Sequence, residues 1–202
     1  MARKRGNNAM EKWLAFYEPF FQDMEETSRF VNLIENYSAN DPMHPAKIMI
    51  HQTQRLVSLA DDLPKIRPKR DPLQLLFLTI CAEHIAKLHD NFTQEGKSRA
   101  YVQRFFRLLV SQTDQNILTC GIIHRSPRRM LNIKEVADLL YDIRCDVIHE
   151  GMYWGFFFRY ENITMLNINP KVTVKIGLSD LRYIVVRGCI NAIQSYEGRP
   201  NQ

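Results

Sequence analysis

The stretch best supplied for chemistry runs Leu139-Leu-Tyr-Asp-Ile-Arg-Cys-Asp-Val-Ile-His-Glu-Gly151, with four residues between Arg144 and His149. Histidine exchanges protons near neutral pH, which makes His149 the candidate general base or acid. A guanidinium is planar with fixed donors, so Arg144 is suited to orient a phosphate and to stabilise negative charge developing on it. Tyr141 and Asp146 are placed to position this pair or to hold the histidine tautomer, and Cys145 follows the arginine directly. The other histidines, His44, His51, His84, His89 and His124, show no metal-ligand spacing and read as packed or surface residues.

A helix must carry the pair. Asn132, with Glu135 three residues later, resembles a capping box, and Gly151 is suited to a left-handed stop. At about 100° per residue, Val136, Leu140, Ile143 and Val147 share a narrow arc facing the core. Arg144 flanks that arc and His149 lies about 140° farther round, so the two do not share a face. Between them Tyr141, Cys145 and Ile148 form a second apolar strip, which needs another helix or another subunit to cover it.

Around this helix the periodicity predicts a mainly α chain, a bundle of about five to six helices with a small β-hairpin inserted before the last. Residues 10–37 carry Trp13, Phe16, Tyr17, Phe20, Phe21, Phe30, Val31 and Ile34 at helical spacing, with Pro19 set to kink or split the run. A second helix is expected from Ala46 to Leu63, ended by Pro64 and Pro68. Asp71-Pro72 opens a third, apolar on most of its circumference through Phe92, that belongs at the centre of the bundle. A fourth is expected from Ser98 to Gln112, followed by a connection through Met130. Phe156–Tyr160, Thr164–Asn169 and Val172–Ile176 read as extended, with a turn at Asn169-Pro170, and Ser179 caps the last helix through Ser195. Residues 1–8 read as a basic disordered tail and 9–197 as one domain.

The aliphatic-Tyr-x-x-Arg frame, the arginine in the last helical turns, the histidine at the helix end and the glycine after it resemble the Arg-to-His signature of the HEPN superfamily, the higher-eukaryote and prokaryote nucleotide-binding helical domains. The motif spans Leu139–Gly151, and the bundle architecture extends the resemblance over much of the chain. The resemblance implies a metal-independent endoribonuclease without a cofactor, with Arg144 and His149 in the active site and two protomers meeting along their motif helices. It also implies a role in cellular conflict, as a toxin or phage-defence factor, restrained by an antitoxin-like partner. The family's usual polar residue after the arginine is Cys145 here, with Asp146 one position later. In such a reaction His149 assists attack of the ribose 2′-hydroxyl on the adjacent phosphorus and leaves a 2′,3′-cyclic phosphate; DNA lacks that nucleophile.

Composition agrees with a soluble globular domain. At 202 residues, with 45% apolar and 24% charged residues, the chain is long enough for one full core. The net charge of +5 is modest, but the cations cluster at Arg3, Lys4 and Arg5, at Lys65, Arg67, Lys69 and Arg70, and at Arg125, Arg128 and Arg129. Such clusters act within about 10 Å; they read first as solubilising loop and tail charge, and among partners they favour nucleic acid. Cys81, Cys120, Cys145 and Cys189 show no zinc spacing and read as reduced, mostly buried thiols. With neither a signal peptide nor a membrane span in the pattern, a cytoplasmic protein is expected. Only 8 glycines and no glycine-rich phosphate loop argue against P-loop, kinase and Rossmann chemistry. The competing reading is an inactive nucleotide-, RNA- or protein-binding module. Basic residues around an Arg144–His149 cleft favour the nuclease, and a separate basic face favours the module.

Overall fold

The computed structural model describes residues 2–41, 43–91, 96–161, 165–166 and 171–197, and among these the chain forms eight α-helices and four short strands. Helix α1 (Ala2–Tyr17) ends in a 3-10 turn, Glu18–Phe20. Pro19 lacks the N–H that a continuing helix needs, and α2 (Met24–Asn40) restarts where the Asp23 carboxylate accepts from Glu26 N at 2.8 Å. The backbone is helical from Ala2, where the sequence led us to expect a disordered tail, because a nucleated helix extends cheaply into residues that do not break it.

Helix α3 (Pro45–Ile66) begins with proline in its first turn and carries Pro64 inside its last turn. The expected stop at Leu63 is overrun, since a proline so near the end sacrifices little of the ladder, and Arg67 N still bonds Leu63 O at 2.8 Å. Helix α4 (Asp71–His89) is the centre foreseen for it, packed against α3, α7 and α8. Leu75, Cys81, Ala82, Ile85 and Ala86 have no exposed surface.

The expected fourth helix is broken. Helix α5 (Ser98–Arg104) passes into a π-helical turn, Phe105–Leu109, and after Val110 the Ser111 hydroxyl accepts from Asp114 N and starts α6 (Gln112–Gly121). A β-carbon on Gly188 would lie 2.7 Å from the Phe105 ring, so only glycine lets the last helix approach the π turn this closely. The supposed connection thus contains α6 and then a hairpin, β1 (Ile122–Arg125) and β2 (Arg128–Met130), leading to α7 (Ile133–Glu150).

The expected hairpin before the last helix is present as β3 (Met165–Leu166) and β4 (Val172–Val174), paired antiparallel, and α8 (Leu178–Glu197) follows. It joins the first hairpin in one antiparallel sheet of order β2-β1-β4-β3, with Ile122 opposite Val174 and Ile123 opposite Thr173. Inward-facing Ile122, Val172 and Val174 are buried. The 156–160 stretch forms no named strand; Arg159 bridges Gly177, and Phe158 N donates to Asp71 Oδ2 at 2.7 Å. The turn at Asn169-Pro170 lies outside the described residues. Cys81 and Cys189 are buried with sulfurs 3.8 Å apart, Cys145 is half-buried and Cys120 is exposed. Contact with Cys189, and then burial, pushes the Cys81 thiol up. Among the described residues no helix is long and apolar enough to cross a membrane.

Candidate active site on helix α7

Local sequence fixes where α7 starts and stops. The Asn132 side chain accepts from Glu135 N at 3.0 Å, and Glu135 reaches back to accept from Asn132 N at 2.9 Å. At the other end Gly151 takes φ 64°, a conformation that costs glycine little, and its N–H bonds Asp146 O. The helix stays regular through Glu150. His149 therefore lies about 7.5 Å along the axis from Arg144 and about 140° round it.

Arg144 leans toward α4. Its side chain is 17% exposed, and Nη2 lies 3.6 Å from Oε2 of Glu83, whose own side chain is 4% exposed. Glu83 also accepts from Lys87 one turn along α4. Burial works to raise the Glu83 carboxyl pKa, but hydrogen bonds from Lys87 and Ser98 and the charges of Lys87 and Arg144 outweigh it and hold the carboxyl below its usual range. The Arg144–Glu83 contact is an ion pair at hydrogen-bond margins, and Arg144 Nε and Glu83 Oε2 have no hydrogen-bond partner. The guanidinium is thus held on both sides, Nη2 beside Glu83 and Nη1 on Cys145 Sγ at 3.9 Å, while its Nε is buried.

Tyr141 lies between two cations, Arg99 at 4.7 Å and Arg144 at 5.4 Å from its ring. Burial first, then the hydrogen bond with Cys145, raises its hydroxyl pKa. Arg99 in turn is held by Asp138 and Asp142 of α7. His149 is exposed and makes no hydrogen bond or ion pair among the described residues. Asp146 is exposed as well, and its carboxyl is raised by partial burial and by the neighbouring charges of Asp142 and Glu150. No hydrogen bond joins it to His149 among the described residues.

One protomer therefore does not bring Arg144 and His149 to a common point. Between them lies the second apolar strip: Tyr141 and Cys145 are half-buried and Ile148 is 44% exposed. It continues past the helix end into Met152 and Trp154, 43% and 48% exposed. Neighbouring apolar side chains left this open form the kind of patch that marks a contact surface.

The basic clusters part company. Lys65, paired with Asp62, together with Arg67 and Lys69, is exposed at the turn before α4. Arg70 stacks 5.9 Å from the Tyr153 ring, which links this cluster to the chain leaving the His149 end of α7. Arg125, Arg128 and Arg129 belong to β1 and β2, at the opposite end of α7, and Arg129 is occupied by two hydrogen bonds to Glu135 of 2.8 and 2.6 Å. The side chains of Arg3, Lys4 and Arg5 lie outside the described residues. A cavity of about 770 Å³ between the end of α3, the start of α4 and the start of α8, lined by Asp71, Gln74, Leu78, Phe158 and Arg182 among others, includes neither Arg144 nor His149.

Sequence reasoning passed over Glu83, Lys87 and Arg99. A usable signal was present: α4 is apolar nearly all round, so the Glu83 and Lys87 charges one turn apart needed partners inside the protein. Among the described residues no group of three or more His, Cys, Asp or Glu side chains is arranged to hold a metal ion. Compared with known proteins, the chain matches no family model, no curated protein and no solved structure.

Proposed function

We propose that the chain is a metal-independent endoribonuclease that acts as a homodimer. The observation that carries this reading is the state of α7: an arginine held beside a buried carboxylate with its side chain still 17% exposed, and farther along an exposed histidine with no hydrogen bond or ion pair among the described residues, separated by a partly exposed apolar strip. Packing two copies along that strip covers Ile148 and Met152 and carries the Arg144 and His149 of each copy toward a shared cleft. Within it one His149 takes the 2′-hydroxyl proton while that oxygen bonds to the adjacent phosphorus. Arg144 stabilises the charge on the phosphorane oxygens. The bond to the 5′-oxygen then breaks, the second His149 supplies its proton, and the products are a 2′,3′-cyclic phosphate and a 5′-hydroxyl. Glu83 is the positioning residue for Arg144. The HEPN resemblance supports this assignment, and with it a cytoplasmic toxin or phage-defence role under the restraint of an antitoxin-like protein.

A second reading is favoured by the position of Arg125, Arg128 and Arg129 on β1 and β2, a basic region apart from Arg144 and His149, and by the pair's own surroundings. Arg144 already has an acidic partner, and Cys145 stands where the family carries a polar residue, as in an inactive RNA- or protein-binding module. Cleavage of a labelled structured RNA in EDTA by wild type, Arg144→Ala and His149→Ala, with analysis of the product ends, separates the two. Cyclic phosphate made by the wild type and lost in both variants supports the nuclease. Folded wild-type protein that leaves several RNAs intact supports the module.

A further inference from the structure

The cavity between the end of α3, the start of α4 and the start of α8 takes no part in the α7 site and is built like a small-molecule pocket. Its volume of about 770 Å³ falls within the ordinary range of such sites, about 300–1,000 Å³. Leu78, Phe158 and Leu178 give it apolar walls. Its polar groups differ in how far they are satisfied. Arg182 is spent, since its Nε and Nη2 donate to the two carboxylate oxygens of Asp61, each at 2.7 Å. Asp71 and Gln74 are not. They stand three residues apart at the start of α4, which puts them on one face of the helix, and both are half-buried in the lining. Asp71 Oδ2 accepts from Phe158 N at 2.7 Å, but a carboxylate has about four acceptor positions, so most of that capacity remains. Burial raises the Asp71 carboxyl in spite of this bond, which leaves its charge short of donors. The Gln74 amide makes no hydrogen bond among the described residues.

These groups select an occupant by what it must offer. A carboxylate only accepts, so the occupant presents N–H groups to Asp71, and two side by side use both oxygens. An amide donates and accepts, so Gln74 serves a neighbouring carbonyl. Apolar walls suit a flat, uncharged body, and Tyr160, in the lining yet 66% exposed, offers a ring to stack on it. Lys69 is exposed in the same lining, without a hydrogen bond or ion pair among the described residues, and supplies a cation for a phosphate. It takes φ 57°, an uncommon conformation for a lysine. Guanine meets these conditions together: N1–H and the 2-amino group lie side by side for Asp71, and O6 lies next to them for the Gln74 amide. Adenine places a lone pair at N1, where the carboxylate repels it, and the pyrimidines lack the paired donors.

We propose that this cavity binds a guanine nucleotide, with Asp71 and Gln74 reading the base and Lys69 pairing with its phosphate. The site goes beyond the α7 chemistry and stands whether or not the chain cleaves RNA. A free nucleotide and a guanosine within a single strand present the same edge to it.

The test titrates the full chain with guanosine, adenosine and xanthosine monophosphates by calorimetry, and repeats the titrations with Asp71→Asn. Asparagine keeps an oxygen for the Phe158 amide but replaces one acceptor by an N–H donor, which opposes the 2-amino group of guanine and matches the 2-oxo group of xanthine. Wild type is expected to bind guanosine monophosphate about tenfold or more tighter than adenosine monophosphate. Asp71→Asn weakens guanosine monophosphate by about 10- to 100-fold and gains affinity for xanthosine monophosphate, an exchange that a merely structural acid does not produce. Gln74→Ala weakens guanosine monophosphate without that exchange. Folded wild type that binds no guanosine monophosphate, binds both natural purines equally, or takes spermidine in their place overturns the proposal, as does an unchanged preference in both variants. Competition by a short single-stranded RNA with one guanine, run in His149→Ala so that no strand is cut, identifies the source. Displacement of guanosine monophosphate assigns the site to guanosine in RNA and its absence to the free nucleotide, and either result upholds the guanine site.

Discussion

At its first turn α7 closes on itself: Asn132 and Glu135 exchange hydrogen bonds, and Arg129 grips the same carboxylate with two more. Seventeen residues on, the last turn leaves His149 without a hydrogen-bond or ion-pair partner among the described residues, near exposed Ile148, Met152 and Trp154 in the chain. One helix thus has a saturated end and an unsaturated end. Groups that satisfy one another locally hold the helix in place, whereas exposed groups left open at a rigid helix end are available to something outside the protomer. Arg144 stands between these states, anchored to Glu83 and yet with a buried Nε unspent.

The largest effect expected along this contrast is at the open end. His149→Ala lowers RNA cleavage by about 10²- to 10⁴-fold, read by product formation at saturating RNA, while unfolding stability stays within about 0.5 kcal/mol. A large stability loss here would place His149 among the structural groups. Glu83→Ala comes next. It strands Arg144 and Lys87 against a low-dielectric wall and costs about 3 kcal/mol, a fall of roughly 6–12 °C in the thermal midpoint. If the proposed dimer forms along this strip, Ile148→Asp leaves the single chain's stability within about 0.5 kcal/mol but shifts sedimentation from dimer to monomer, with cleavage lost in parallel. Equal sedimentation of the two proteins would remove the strip from the assembly.

At the closed end the effects are smaller and confined to stability. Asn132→Ala loses the cap and about 1 kcal/mol, with cleavage per folded molecule unchanged. Arg129→Ala removes an exposed pair and lowers stability only slightly at neutral pH. Arg129 and the Asn132 N–H hold the Glu135 carboxyl down at about 2. Since that lies below the unfolded value of about 4.3, the stabilisation is complete above pH 4.3 and fades as the pH falls toward 2. Denaturation of wild type and Arg129→Ala across that window should show their difference closing at the acid end.

What could be read from sequence follows the same division between local and distant partners. The limits of α7 were legible because Asn132, Glu135 and Gly151 act within a few residues of one another. Pro19, Pro72 and the apolar circumference of α4 were legible for the same reason. β1 and β2 were not: Ile122 finds Val174 across most of α7 and the chain beyond it, and their arginine-rich strands join at Ser126-Pro127 without the Asn-Gly or Asp-Gly signal of a tight hairpin. Helix α6 was missed because the fourth helix was expected to end at Gln112 and the residues after it were read as a connection, where Ser111 in fact caps a new helix. In the candidate site, Arg144 and His149 stood out by their frame, but Glu83 comes from α4, and only packing reveals that Arg129 is spent on Glu135.

The four cysteines divide by depth. A thiol reagent dissolved in water meets Cys120 at the end of α6 and Cys145 on the α7 strip, and finds Cys81 and Cys189 sealed between α4 and α8. The native chain thus carries its own reporter, Cys145, on the surface proposed to be covered in the dimer, and an internal reference, Cys120, away from it. The ratio of their labelling rates tracks how much of that strip is covered, without any residue being changed.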